Sequence, residues 1–156
     1  MTDKPWYEDV VMPALLRHAR SAYGATMRRA LAEQGHDDIP ANGLYVIGGL
    51  AMSDGEAPLG GLIRSLGISK QGAGQLVDAL VLRGYLERRP DETDRRKLTV
   101  TLTEKGRDAA AIQAMARMSI DAELFDAVGA DDLSRTRRTL AVLADIGRQR
   151  GETAKD

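Results

Sequence analysis

The fold of this 156-residue chain is decided by residues 59–105, which read LGGLIRSLGISKQGAGQLVDALVLRGYLERRPDETDRRKLTVTLTEK. Residues 59–66 and 70–83 are two short segments whose apolar residues recur with helical spacing. Gly67 between them predicts a tight turn. Ser69 is placed to cap the second helix, because its hydroxyl can accept a bond from an unpaired backbone N–H. This part of the stretch therefore predicts a helix-turn-helix.

Two strands and a charged loop follow the second helix. Gly84 stops that helix, and residues 85–88 read as a first strand. Apolar residues and threonines alternate over residues 98–102, which predicts a second strand. Residues 90–97 must then be the loop of a hairpin. A hairpin directly after a helix-turn-helix is a wing.

The segments before this stretch predict two further helices. Residues 5–33 form one long amphipathic pattern that ends at Gly35. Pro40 is expected to open a second helix that reaches about Met52. Residues 53–58 are rich in turn-forming residues and end it.

The segment after the wing predicts two more helices. Thr103 is placed to cap a long helix that runs to about Val128, and Gly129 interrupts it. A last helix restarts shortly afterwards and ends near Arg150. Residues 151–156 are a polar tail that we expect to fray.

The charge of the chain is unevenly distributed. The net charge is −1, but residues 59–107 contain ten basic and six acidic residues, so this stretch carries +4 and the remainder −5. Binding to a polyanion depends on where the positive charge lies rather than on the total. No apolar run approaches membrane-spanning length and no secretory signal is visible, which predicts a cytoplasmic protein that is not bound to a membrane.

Several chemistries are excluded or disfavoured by composition. The chain has no cysteine, so disulfides, thiolate metal sites and thiol redox sensing are ruled out. His36 beside Asp37 and Asp38 could hold a metal, but its position before Pro40 favours an exposed turn, so we expect no metal site. No nucleophile and base pattern or phosphate-binding loop is evident. We therefore expect neither an enzyme nor a cofactor.

The second helix of the motif has a face suited to reading bases. Its apolar residues gather on one side, and Gln71 and Gln75 lie one turn apart on the other, where amides can bond adenine. Gly74 on that face allows close approach of the backbone to DNA, whereas Gly72 has no such explanation. The alternative is an ordinary surface helix with solvated glutamines. The candidate DNA contacts on this helix are Ser69, Lys70, Gln71, Gly74 and Gln75.

The hairpin loop supplies a second candidate group. Asp94, Arg95 and Arg96 lie at its tip or descending edge, and an arginine held out there can enter a minor groove. Asp94 could orient the guanidinium of Arg96 through a bidentate ion pair. The alternative is a charged hairpin loop with no partner.

These residues support a resemblance to a known family. The hairpin and the segment after it resemble the D-x-R wing and following L-T-x-x-G of the MarR family of transcriptional regulators. The helix-turn-helix is similar to the family's as well. The matching segments are Asp94-Arg95-Arg96, Leu102-Thr103-Glu104-Lys105-Gly106, Leu66-Gly67-Ile68-Ser69, Leu76-Val77-Asp78 and Arg83-Gly84-Tyr85-Leu86.

The resemblance implies a mainly α fold with a small β-hairpin, as one domain over residues 1–156. Residues 40–102 would be the winged helix that binds double-stranded DNA, and residues 5–36 and 103–150 would be dimerisation helices. A homodimer would bind a palindromic operator, with Arg96 in the minor groove and Asp94 positioning it. Family members are typically repressors released by a small phenolic or lipophilic effector.

The effector site and the function both leave alternatives open. The polar-tipped rings of His18, Tyr23 and Tyr45 lie on the first two helices and could line an effector pocket. Otherwise they are core or interface residues. The net charge of −1 also allows a second function, a winged helix that contacts proteins without binding DNA.

Overall fold

The computed structural model describes residues 4–153, which form a helical protein with one small antiparallel sheet. A 3-10 turn at Trp6–Asp9 precedes five helices. These are α1 (Met12–Glu33), α2 (Gly43–Met52), α3 (Leu59–Ser65), α4 (Lys70–Leu82) and α5 (Glu104–Thr153). The strands are β1 (Glu56–Pro58), β2 (Leu86–Pro90) and β3 (Leu98–Leu102), in the order β1-β3-β2. The predicted mainly α fold with a β-hairpin is confirmed, and the chain divides into two compact units between Arg117 and Met118.

The helix-turn-helix follows its local sequence signals closely. Helix α3 ends at Ser65 and α4 begins at Lys70, with Gly67 in the left-handed region at φ +64°. Gly84 after α4 has φ +80°, so both glycines occupy backbone conformations that other residues rarely adopt. The predicted boundaries of the motif are therefore confirmed to within a residue or two.

Two helix starts near the N-terminus were predicted wrongly. The pattern over residues 5–33 is broken before Met12, because Pro13 in the first turn of α1 has no N–H to bond back to an earlier turn. Helix α2 begins at Gly43 rather than at Pro40. Asn42 has φ +65°, and a right-handed helix cannot run through a left-handed residue.

The prediction of a simple turn over residues 53–58 missed a strand. Residues 56–58 form β1, which pairs antiparallel with β3, placing Glu56 opposite Thr101. A three-residue strand is too short to show the alternation that identifies strands in sequence. Strand β2 lies on the other side of β3, and Pro90 at its end pairs with Leu98, which an edge strand tolerates.

A polar cluster within the core surrounds Tyr85. The Tyr85 side chain is fully buried, and its hydroxyl donates to Asp38 Oδ1 at 2.6 Å. His36 Nδ1 lies 3.3 Å from the same hydroxyl, and His36 Nε2 lies 2.7 Å from Asp108 Oδ2. Burial, followed by the bond to Asp38, raises the pKa of Tyr85, and that bond lowers the pKa of Asp38. His36 is thus buried, and the expectation of an exposed turn was wrong for this residue.

Helix α5 begins as predicted. Thr103 Oγ1 accepts a bond from Gly106 N at 3.0 Å, which caps the first turn. Gly129 interrupts the helix with φ 78° and ψ 172°, also as predicted. Residues 151–153 of the tail that was expected to fray are helical, and residues 154–156 lie outside the described residues. Residues 1–3, part of the N-terminal segment in which no secretory signal was found, also lie outside the described residues. Within residues 4–153, no helix is long and apolar enough to cross a membrane.

Gly106 allows α5 to approach the chain that leads into β2. A Cβ atom at Gly106 would lie 2.1 Å from the carbonyl oxygen of Tyr85, where no side chain fits. Thr103 N also donates to that oxygen, at 3.1 Å. The glycine of the L-T-x-x-G segment is therefore required by packing, since the obstacle is backbone rather than a flexible side chain.

We predict that Gly106→Ala destabilises the protein. The clash with Tyr85 should cost about 1–3 kcal/mol and outweigh the gain of about 1 kcal/mol that alanine brings to a helix. Urea denaturation followed by circular dichroism measures the change in the free energy of unfolding.

Gly74→Ala is the matched control, because a Cβ at Gly74 would meet nothing within 4 Å. This variant should be as stable as the wild type or more so. A Gly106→Ala protein as stable as Gly74→Ala would show that the close approach is unimportant.

Candidate nucleic-acid interface

The N-terminus of α4 is held by a side-chain cap. Ser69 Oγ accepts a bond from Gly72 N at 3.1 Å. A Cβ at Gly72 would lie 3.0 Å from that oxygen, which is closer than side chains normally approach. The cap narrows the space around Gly72 but does not require a glycine there, because capping serines commonly precede larger residues at this position.

The outer face of α4 carries the predicted amides. Gln71 and Gln75 are exposed, and the space above Gly74 is open. Ser69 and Lys70 are also exposed at the start of the helix. The opposite face is buried in the core through Ala73, Leu76, Val77 and Leu80. The five predicted contact residues of α4 thus lie together at the N-terminal end of the helix or on its outward side.

The loop of the wing is organised by Asp91, which sequence reasoning did not identify. Its Oδ1 accepts bonds from Thr93 N at 2.8 Å, Thr93 Oγ1 at 2.6 Å and Asp94 N at 3.0 Å. Its Oδ2 lies 3.4 Å from Thr99 Oγ1. These bonds, led by that of the Thr93 hydroxyl, lower the pKa of Asp91 to about 2. The sequence does contain a signal for this role of Asp91, since the side chain of an aspartate that follows a proline often closes a turn.

The arginines at the wing project into solvent. The Arg96 side chain is 96% exposed, and Arg95 is exposed as well. Asp94 Oδ1 accepts a bond from the backbone N of Arg96 at 3.1 Å, and the Arg96 Nε atom lies 3.9 Å from the same oxygen. The expected bidentate pair is therefore not formed. Asp94 instead fixes the backbone that carries Arg96.

Helix α4 and the wing are joined by an ion pair. Asp78, on the exposed face of α4, pairs with Arg88 of β2. The carboxylate on the outer face of α4 is thereby neutralised by a residue of the wing. The ion pair therefore ties strand β2 to the exposed side of α4.

A separate cavity of about 700 Å³ lies behind the helix-turn-helix. Arg20 and Tyr45 line one side, and Leu62, Leu66 and Ile68 line another. Arg20 Nε donates to the Tyr45 hydroxyl at 2.6 Å, and the guanidinium lies 4.2 Å from the centre of the Tyr45 ring. A ligand there would contact both α1 and α2 and the turn that leads into α4.

The predicted effector residues are not all brought together. Tyr45 lines this cavity, whereas His18 is exposed on α1 and Tyr23 is partly buried against the core. Arg20 was missed, because nothing in the sequence distinguishes it from the other arginines of α1. Within residues 4–153, no group of three or more acidic or histidine side chains is arranged to hold a metal ion.

We predict that the wing loop depends on the ionised Asp91 carboxylate. Because its pKa is lowered, its contribution is complete above pH of about 4, the ordinary range of aspartate. That contribution is lost as the pH falls toward 2. The Thr93 amide is expected to be protected from hydrogen exchange. This protection, measured by NMR relative to the intrinsic exchange rate at each pH, should therefore disappear over this interval.

Asp91→Asn is the matched variant, since it keeps the shape of the side chain and removes the titrating group. Its Thr93 amide should exchange faster than that of the wild type, with no such pH dependence. An equally protected Thr93 amide in this variant would contradict the assignment.

Comparisons with known proteins agree with this architecture. The family model described as "MarR family" matches residues 37–97. The transcriptional repressor MprA of Escherichia coli K12 is 28% identical over 102 residues, which are 65% of this chain and 57% of MprA. The chain thus matches less than two thirds of the length of that relative.

Solved structures share the fold at low sequence identity. A mutant MarR of Escherichia coli complexed with operator DNA has a TM-score of 0.68 and 19% identity, covering 90% of this chain and 99% of that one. Streptococcus pneumoniae FabT in complex with DNA has a TM-score of 0.69 and 16% identity, covering 89% and 99%. MprA is described as a transcriptional repressor rather than as an enzyme, in line with the sequence-based expectation. Together, these findings mean that residues 37–97 are similar to the MarR family and that the chain shares the fold of the MarR and FabT structures.

Proposed function

We propose that this protein is a sequence-specific DNA-binding repressor that works in the cytoplasm as a homodimer on a palindromic operator. One observation carries the proposal. The outward amides of α4 and the exposed arginines of the wing belong to two elements that the Asp78–Arg88 ion pair joins. A helix for the major groove beside an arginine for the minor groove is the arrangement a winged helix uses to bind DNA.

The proposed roles divide into positioning and reading. Ser69, Lys70 and Arg95 would contact phosphates, which fix the register of the protein on the duplex. Gln71 and Gln75 would read base edges, and Gly74 would let the backbone approach them. Arg96 would enter the minor groove, with Asp94 holding its backbone. MprA is described as a repressor, and MarR and FabT were each solved with DNA, which supports the same assignment.

The proposed dimer rests on apolar side chains that a single chain leaves uncovered. Phe125 is 52% exposed and Val142 51% exposed, in the part of α5 beyond Arg117. Several exposed apolar side chains within one helical segment are typical of a protein interface. The predicted dimerisation helices, residues 5–36 and 103–150, include these positions. The exposed large apolar residues of this segment are Met118, Leu124, Phe125, Val128, Leu140, Val142, Leu143 and Ile146.

Selection of DNA fragments by the purified protein tests the function. We expect the selected sites to be palindromic, with half-sites one helical turn apart, because a two-fold dimer presents two recognition helices at that spacing. A protein that selects no DNA at low salt and captures one protein partner would instead be a protein-interaction module.

Two variants should affect binding to the selected duplex in different ways. Arg96→Ala should weaken binding and reduce the slope of log affinity against log salt by about 0.9 per lost phosphate contact. Gln71→Ala should relax base preference at one position of each half-site while leaving that slope unchanged. Fluorescence anisotropy at several salt concentrations measures both. An unchanged affinity for Arg96→Ala would remove the wing from the interface.

The cavity behind the helix-turn-helix is proposed to hold the effector. A ligand between Tyr45 and Ile68 would press on the turn before Ser69 and so change the orientation of α4. We expect a panel of small phenols to include one that releases the wild type from its operator. Tyr45→Ala should bind the operator with wild-type affinity and resist release, whereas His18→Ala, on the exposed part of α1, should respond normally. Equal release of both variants would place the effector elsewhere.

A further inference from the structure

A second cleft separates α3 from the base of the wing. It has a volume of about 480 Å³ and lies between the first turn of α3 and the start of β3. Its lining includes Gly60, Gly61 and Arg64 on the helix side, and Arg96 and Lys97 on the wing side. The cleft is therefore built from both parts of the winged helix.

The charge of this cleft is positive and largely uncompensated. Three cationic side chains line it, those of Arg64, Arg96 and Lys97, and no carboxylate does. The Asp94 carboxylate lies 3.9 Å from Arg96 Nε. Among residues 4–153, neither the Arg64 nor the Lys97 side chain has a hydrogen bond or an ion pair. Three cations around one concave space favour an anion as the occupant.

The Arg64 side chain lies beside the glycine pair at the start of α3. A Cβ at Gly60 would lie 3.5 Å from Arg64 Nη1, and one at Gly61 would lie 4.0 Å from Arg64 Nη2. The guanidinium thus lies along the bare surface of the helix that the two glycines leave. An alanine at either position would make only an ordinary van der Waals contact with the guanidinium, so the position of Arg64 does not depend on the glycines.

We propose that this cleft binds a backbone phosphate of DNA, with Arg64 and Lys97 as its ligands. The proposal rests on the proposed function. With α4 in the major groove and Arg96 in the adjoining minor groove, the sugar-phosphate chain between the two grooves passes between α3 and the wing. A guanidinium donates two parallel bonds to a phosphate, and Lys97 adds a point charge. Arg64 therefore positions the helix-turn-helix on the duplex without reading its sequence.

Anisotropy titrations with the selected duplex, at salt concentrations from about 50 to 200 mM, test this assignment. Arg64→Gln should reduce the salt slope by about 0.9 per cleft, and by about twice that in a dimer, and should weaken operator and mismatched duplexes equally. Arg64→Lys should keep the salt slope and lose part of the affinity, because lysine retains the positive charge but cannot donate two parallel hydrogen bonds to the phosphate. Arg29→Gln, which removes an exposed arginine of α1, is the control and should keep the wild-type slope.

The outcomes separate the proposal from the function on which it depends. If the wild type binds the duplex but Arg64→Gln leaves the salt slope unchanged, the phosphate site in the cleft is overturned and the proposed function is not. The same conclusion follows if Arg29→Gln lowers the salt slope as much as Arg64→Gln does. A wild type that binds no duplex overturns both. Calorimetry with inorganic phosphate identifies the source of the anion. Tight binding to the DNA-free protein that Arg64→Gln abolishes would assign the cleft to a free anion and contradict the DNA contact.

Discussion

Tyr85 is the point at which the elements of the winged helix are held together. Its backbone N donates to Leu80 O at 3.0 Å, which ties it to the end of α4. Its carbonyl oxygen accepts from Thr103 and faces Gly106, which fixes the start of α5 against it. Its hydroxyl bonds Asp38 in the segment before α2. One fully buried residue therefore sets the relative positions of α4, the first strand of the wing and the start of α5.

The consequence is that the surface proposed to face DNA is made of parts that are locally rigid for separate reasons. The Ser69 cap fixes the start of α4, and Asp91 closes the wing loop through four hydrogen bonds. Asp78 and Arg88 join the two across the surface. This explains how a chain with a net charge of −1 can present a positive face: its basic residues are concentrated in the segment that these contacts hold in place.

Local signals made much of this architecture predictable. Gly67 and Gly84 mark backbone turns that few other residues adopt, and Ser69 and Thr103 mark helix starts that their own hydroxyls cap. Features that depend on distant partners were not predictable. Strand β1 exists because β3 offers it an edge, and His36 is buried because Tyr85 and Asp108, far away in sequence, accommodate it.

The candidate site shows the same division. The outward face of α4 follows from helical periodicity, so Gln71 and Gln75 were predictable as exposed residues. The exposure of Arg96 was predictable from its loop, but the role of Asp94 in holding the backbone was not. The contact between Arg20 and Tyr45 was also not predictable from the sequence, since the two residues meet only because α1 packs beside α2.

Amide hydrogen exchange of the wild type, with and without its selected duplex, tests most directly whether helix and wing act as one surface. DNA should slow exchange at the start of α4, over residues 69–75, and in the wing loop, over residues 91–97, at the same concentrations of duplex. The apolar part of α5 beyond Arg117 should be unaffected. Protection confined to α5, or to the wing without α4, would contradict the account.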